Sequence, residues 1–202
     1  MLAADWLSAA KLRAGLGHGT IGREIIVLDE TTSTNDVALQ MANEGAREGL
    51  VVFAEHQTAG RGQRGNVWES PAGKGLLCSI LLRPNVAVHD STRLVDWAIK
   101  GIAWTVESAC FCTATIKPPN DIYIDGRKVA GVLVEMRAQP RGPHLAVVGI
   151  GVNVNQMPGH FPDALRERAI SLAIVLGEPV DRNALAITLL TNLNHLYLQT
   201  FL

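Results

Sequence analysis

Residues 54–77 read AEHQTAGRGQRGNVWESPAGKGLL, and the assignment of the fold turns on them. The stretch leaves one apolar run, Leu50-Val51-Val52-Phe53, and enters another, Leu76 to Leu82. Short apolar runs of this kind suit buried strands. Between them stand Gly60, Gly62, Gly65, Gly73 and Gly75, and from Gly60 to Gly75 Arg61, Arg64 and Lys74 face a single acid, Glu69. A loop of this length inside a compact chain is uncommon unless it binds something or is disordered. Glycine lets the backbone approach a ligand closely, and arginine offers an always-charged fork for phosphate or carboxylate. The composition predicts a loop that closes over an anion and has little packed structure of its own until it does. The bland alternative is a surface loop with a few solvated charges.

Upstream, Glu24 to Asp29 reads as a strand and Val37 to Ala42 as a helix. Thr31-Thr32-Ser33-Thr34-Asn35-Asp36 lies between them. Ser33 and Asp36 have the spacing of a capping box, so one of these residues is expected to cap the helix. Four consecutive hydroxyls exceed what one cap needs, and they sit at a strand end, where ligands bind in mixed α/β sheets. Gln57, at the loop's entrance, adds an amide to that cluster. Further upstream, residues 2–14 place Leu2, Trp6, Ala9, Ala10 and Arg13 at helical spacing.

Downstream, Asp90 to Ala109 carries Leu94, Trp97, Ala98, Gly101, Ile102, Thr105 and Val106 on one stripe, a long helix packed on a sheet. Trp97 and Trp104 are both expected in the core. Pro118 holds Lys117 extended, and the second proline stiffens that corner. Asp125-Gly126 between Ile122-Tyr123-Ile124 and Arg127–Met136 is a strong hairpin signal. Lys128 taken alone is an ordinary solvated hairpin lysine. His144 to Asn155 forms another strand; its Gly149 and Gly151 allow a ligand against the backbone, and Asn153 could offer a donor and an acceptor to adenine. Pro162–Leu176 and Asp181–Leu202 read as closing helices.

The bulk numbers bound the function. A chain of 202 residues with 48% hydrophobic and 18% charged content fits one globular domain with a real core. A net charge of −1 gives no global attraction for DNA or an acidic membrane, so any anion binding is local. Cys78, Cys110 and Cys112 are too sparse for a disulfide scaffold and suit a reducing, cytoplasmic setting; Cys110-Phe-Cys112 has no partner pair at metal-ligand spacing. Neither a signal peptide nor a membrane-spanning run is present in the pattern. Gly60, Gly62 and Gly65 satisfy G-x-G-x-x-G, but no helix can follow through Pro71, so the dinucleotide-fold reading fails.

Four stretches, in order, resemble the biotin protein ligases, also called biotin–acetyl-CoA-carboxylase ligases. They are Ser33-Thr34-Asn35, EHQTAGRGQRGNVW, the run Lys117–Glu135 (KPPNDIYIDGRKVAGVLVE) and Gly149–Asn155 (GIGVNVN). The resemblance covers about residues 25–200 and implies an α+β catalytic domain with a mixed, largely antiparallel sheet packed by helices, like that of class II aminoacyl-tRNA synthetases. It implies that Ser33, Thr34 and Asn35 hydrogen-bond the ureido ring of biotin, with Gln57 as a second partner. Gly60, Arg61, Gly62, Gln63, Gly131 and Gly149 would line the biotin site. Arg61, Arg64, Gly65, Trp68, Lys117, Asn120, Lys128 and Asn153 would hold ATP, with Trp68 near the adenine. Lys128 matches the lysine that reaches both the biotin carboxylate and the phosphate.

The implied chemistry forms biotinyl-5′-AMP from biotin and ATP with Mg²⁺. Biotin then passes to a lysine of a biotin carboxyl carrier protein domain. Arg61, Lys117 and Lys128 would neutralise the meeting anions, and Asp121 would orient or deprotonate the acceptor amine. Two positions depart from the family pattern: Pro118 where tryptophan is usual, and Gln63 where many members carry arginine. The expected organisation is a single catalytic domain over 1–202, without a helix-turn-helix and without the small C-terminal β-barrel. A lipoate ligase shares the fold and the adenylation, but its dithiolane would leave the Ser-Thr-Asn cluster unused. A non-catalytic biotin-binding relative would not need Lys128 and the arginines.

Overall fold

Each apolar run on either side of the glycine loop becomes an inner strand of one seven-stranded sheet in a computed structural model, which describes residues 5–140 and 142–201. In chain order the elements are α1 (Ala9–Gly15), β1 (Glu24–Thr31), α2 (Thr34–Asn43), β2 (Leu50–Gln57), β3 (Gly75–Leu82), α3 (Thr92–Cys110), β4 (Thr115–Lys117), β5 (Asp121–Ile124), β6 (Arg127–Arg137), β7 (Leu145–Asn153), α4 (Leu172–Leu176) and α5 (Arg182–Phe201). The strands run in the order β1-β2-β3-β7-β6-β5-β4. Only β1 and β2 are parallel, joined through α2; every other pair is antiparallel, as the expected mixed sheet requires.

The strand period of two assigns the faces. Leu76, Cys78, Ile80 and Leu82 of β3, Val132 of β6 and Val148, Ile150 and Val152 of β7 join the main core, which Leu94, Trp97, Ile102, Leu189 and Leu193 of α3 and α5 cover. On the opposite face α2 covers one half of the sheet: Ala38, Leu39 and Ala42 pack on Leu50, Val52, Leu81, Leu145 and Val147. The other half of that face is left to the glycine loop. Asp125 and Gly126 both take positive φ (49° and 73°), so the β5–β6 hairpin closes through the turn that Asp-Gly favours.

Several expectations are corrected. The first helix starts at Ala9, capped by Ser8; Leu7 and Leu12 are its buried contacts while Trp6 is half exposed, and Leu2 lies outside the described residues, as does Leu202. Trp97 is buried but Trp104 is 45% exposed, lying edge-on to His195 across α3 and α5. Pro162–Leu176 is not one helix. Lys128 N–H donates to Arg168 O (2.7 Å) and Ile170 N–H to Lys128 O (2.9 Å), which makes Ala169 a parallel bridge partner of Lys128, and α4 begins only at Leu172, capped by Ser171. Ser33 occupies the N-cap position of α2, yet its hydroxyl makes no capping bond. Among the described residues, no helix is long and apolar enough to cross a membrane.

Candidate active site

The strand register lines up glycines on the half of the sheet that α2 leaves open. Leu77, Gly151, Gly131 and Asp121 form one cross-strand row, and Ser79, Gly149 and Leu133 form the next. Each glycine leaves room for one polar or aromatic side chain. A Cβ on Gly149 would collide with the Asn35 amide, and one on Gly151 would fall 2.5–2.7 Å from the six-membered ring of Trp68. A Cβ on Gly131 would press to 3.2 Å of the Lys128 ammonium and 3.3 Å of Asp121 Oδ1. Three functional groups thus reach the sheet surface because three β-strand positions have no side chain. Over this floor opens a cleft of about 310 Å³.

Its two ends differ in chemistry. At one end, Thr34 donates to Gln57 Oε1 from its backbone N–H (2.8 Å) and its hydroxyl (3.0 Å). The Ser79 hydroxyl lies 2.7 Å from Thr34 Oγ1 and donates to Asn35 Oδ1 at 2.5 Å. Asn35 Nδ2 donates to Glu135 Oε2 at 2.6 Å. The Asn35 amide is therefore spent on the protein, while the uncapped Ser33 hydroxyl stays available in the cleft wall. Ser33, Thr34, Asn35 and Gln57 make this end one of neutral hydrogen-bonding groups.

At the other end stand Lys117 and Lys128. Lys128 Nζ sits 2.6 Å from Asp121 Oδ1 and 5.5 Å from the Trp68 ring centre; Lys117 Nζ sits 4.8 Å from the Tyr123 ring centre. Cation–π contact and a carboxylate fix two ammonium groups that would otherwise sweep through water. Cys78 reaches the cleft lining from the core face, where burial pushes its thiol up to about 12, so it is no nucleophile. Among the described residues, no group of three His, Cys, Asp or Glu could hold a metal ion.

The glycine loop has more structure than its composition suggests. Trp68 N–H donates to Gly60 O (3.0 Å) and Gly62 N–H to Asn66 O (2.7 Å), a narrow hairpin in which Arg61 pairs with Val67. Its turn passes through Gln63–Gly65, with Arg64 and Gly65 both at positive φ. Arg61 donates to Asp36 Oδ2 (2.8 Å) and to Glu135 Oε2 (3.1 Å), and these carboxylates, Asp36 foremost, hold its guanidinium pKa above the ordinary value. Arg61, which the resemblance assigns to the meeting anions, is already engaged by two acids.

Of the expected site residues, the fold gathers Ser33, Thr34, Asn35, Gln57, Arg61, Gly62, Gln63, Arg64, Trp68, Lys117, Asn120, Asp121, Lys128, Gly131 and Gly149 around the cleft. It leaves out Gly60, Gly65 and Asn153. Gly60 forms the hairpin neck, where a Cβ would meet Trp68 O and Gln57 Nε2. Gly65 serves the turn at φ 78°. Asn153 is spent on its surroundings: Nδ2 donates to Ile170 O (3.1 Å) and Oδ1 accepts from Gln156 Nε2 (3.2 Å). Asn120 lines the cleft, but its Nδ2 donates to Val132 O (2.8 Å) and staples the hairpin.

Sequence reasoning missed Asp36, Ser79 and Glu135. A signal existed for two of them. Ser79 is the only polar side chain in the apolar run Leu76–Leu82, and Glu135 continues the period-two row of Gly131 and Leu133 on the site face. Asp36 was hidden by its resemblance to a capping residue.

The model of the biotin/lipoate A/B protein ligase family matches residues 27–155, which include the ring of neutral groups, the glycine loop, both lysines and the glycine floor. The chain belongs to that family. Within it, the chain is 40% identical over 176 residues to the bifunctional ligase/repressor BirA of Bacillus subtilis, covering 87% of this chain and 54% of that protein. It is 33% identical over 194 residues to the biotin–[acetyl-CoA-carboxylase] ligase of Mycobacterium tuberculosis, covering 88% and 65%. The biotin protein ligase of Aquifex aeolicus, solved in complex with biotin and ATP, superposes with a TM-score of 0.74 at 28% identity, covering 88% of this chain and 71% of that one. The chain thus spans about half the length of the Bacillus relative and about two thirds of the other two.

Proposed function

We propose that the cleft joins biotin to ATP as biotinyl-5′-AMP and then transfers biotin to a lysine of a biotin carboxyl carrier protein domain. The observation that carries this reading is the division of one cleft into a neutral hydrogen-bonding end and a cationic end across a glycine floor. Biotin is divided in the same way. Its ureido ring is an uncharged donor–acceptor group suited to Ser33, Thr34 and Gln57, and its carboxylate must meet a triphosphate beside Lys117 and Lys128. The relatives support it: the Mycobacterium tuberculosis protein bears the name of a biotin–[acetyl-CoA-carboxylase] ligase, and the Aquifex aeolicus protein holds biotin and ATP together.

In the first step a carboxylate oxygen of biotin bonds to the α-phosphorus of ATP as the bond to pyrophosphate breaks. Lys128 bears on the charge that develops there, and Asp121 holds its ammonium in place. Mg²⁺ would enter with the nucleotide, bound by phosphate oxygens and water, since Asp121, Asp36 and Glu135 already face cations. In the second step the neutral lysine amine of the acceptor attacks the acyl carbon, the bond to AMP breaks, and Asp121 orients the amine or takes its proton. The cytoplasm supplies what this chemistry needs, ATP and an apo-carrier domain.

ATP–pyrophosphate exchange tests the reading, run in parallel with biotin and with lipoate. Exchange with biotin alone is expected. Exchange with lipoate alone would reassign the substrate, and exchange with neither would remove the activity.

A further inference from the structure

The side chains around the neutral end form a chain of polar contacts that starts at the entrance of the glycine loop and ends on the loop itself. It runs from Gln57, the last residue of β2, through Thr34, Ser79 and Asn35 to Glu135, and from Glu135 to Arg61. Glu135 is its branch point. One oxygen, Oε2, accepts from both Asn35 Nδ2 (2.6 Å) and Arg61 Nη2 (3.1 Å), and Asp36 braces the same guanidinium from α2 (2.8 Å). Two acids on one arginine leave a net negative cluster there, a poor station for a second anion. Arg61 is therefore better suited to holding the loop than to neutralising phosphate. Glu135 itself does not line the cleft.

We infer that Glu135 is a positioning residue that fastens the glycine loop to the neutral recognition groups, with Arg61 as the loop's half of the fastening. The side chains of Glu135, Arg61 and Asp36 are 34%, 39% and 46% exposed, so the contact is screened by salt and can part without exposing a core. A loop tethered in this way to the neutral recognition groups closes in register with them. Loss of the tether lets it open more often, without disturbing the sheet.

Hydrogen exchange on the full chain tests the tether without reference to any activity. Glu135→Gln and Arg61→Met should each speed exchange of the amides at 58–68 by roughly 3- to 10-fold, and the double variant no further than Arg61→Met, which already removes the contact that Glu135→Gln weakens. Amides of β6 and β7 should keep their rates in Glu135→Gln. In the unaltered protein, raising salt from ~0.05 to ~0.5 M should quicken the same loop amides, and in Glu135→Gln by less, since only the Asp36–Arg61 pair is then left to screen. Additive effects, or exchange that rises equally through the sheet, would overturn the assignment. A second arm rests on the proposed biotin adenylation. In Glu135→Gln the rate of adenylate formation should hold while release of the adenylate, trapped with excess amine, rises several-fold. Unchanged release beside normal formation overturns the tether's role in the reaction. If no adenylate forms in the parent protein, the adenylation reading fails and the exchange results alone decide the tether.

Discussion

An arginine holds the glycine loop at each end, and the two arginines sit in different media. Near its start, Arg61 meets Asp36 and Glu135 at a surface where all three side chains are a third to a half exposed. At its end, Arg182 is 1% exposed and so is its partner Glu55, 2.6 Å away. Arg182 also donates to Gly75 O and to the backbone and side chain of Asp5, while Glu55 Oε1 accepts from Leu7 N–H and the Glu55 carbonyl from Gly73 N–H. Water competes for the first cluster and has been excluded from the second. A buried pair becomes tolerable only when such extra bonds satisfy it, and breaking it strands a charge. The same residue type therefore makes a releasable tether at one end and a fixed anchor at the other.

Predictions that break or sharpen this contrast begin with the anchor. Glu55→Ala should cost about 3–5 kcal/mol of stability by urea denaturation, because Arg182 is left charged and buried. A loss below ~1 kcal/mol would mean that Arg182 finds water after all. The apolar pair Glu55→Leu with Arg182→Met should recover a large part of the loss, since no charge is then stranded.

Between the two ends lies Lys128, and its loss should appear in rate and not in folding. Lys128→Ala should slow biotin-dependent pyrophosphate exchange by about 30- to 1000-fold, roughly 2–4 kcal/mol of transition-state stabilisation. Near-parental exchange would return Lys128 to the status of a hairpin lysine paired with Asp121.

At the releasable end the effects should shrink. Gln63 lines the cleft at the loop's turn, and with Arg61 engaged by two acids, Arg64 is the remaining loop arginine. Gln63→Arg should add a charge-assisted contact and slow escape of the adenylate several-fold, about 1 kcal/mol, with little change in its formation. Equal escape rates would show that position 63 does not control retention. Smallest of all, Asp36→Asn should change global stability by less than ~1 kcal/mol, and by less still at high salt. A loss comparable to that of Glu55→Ala would erase the distinction between the two ends.

Much of the site was legible in local pattern. The continuous apolar runs of β2 and β3, the stripe of α3 and the Asp-Gly turn each follow from the properties of a few neighbouring residues. The errors fall where local preference met a distant partner. Trp104 lies outside the apolar stripe of α3, and on α5 it meets His195 edge-on. Residues 168–170 would suit a helix, but the backbone of Lys128 captures them. Asn153 has the donors an adenine needs, and Ile170 and Gln156 take them first.

By itself the sequence determined the strands, the long helix, the loop and the identity of the groups that meet in the cleft, because spacing and side-chain chemistry are local properties. Only the tertiary structure decided which of those groups remain free. Strand register set Gly131, Gly149 and Gly151 beneath Lys128, Asn35 and Trp68, and the fold brought Glu135 within 3.1 Å of an arginine 74 positions away. A polar side chain is available to a ligand only when no other protein atom satisfies it, and that partner is assigned by packing across the whole chain.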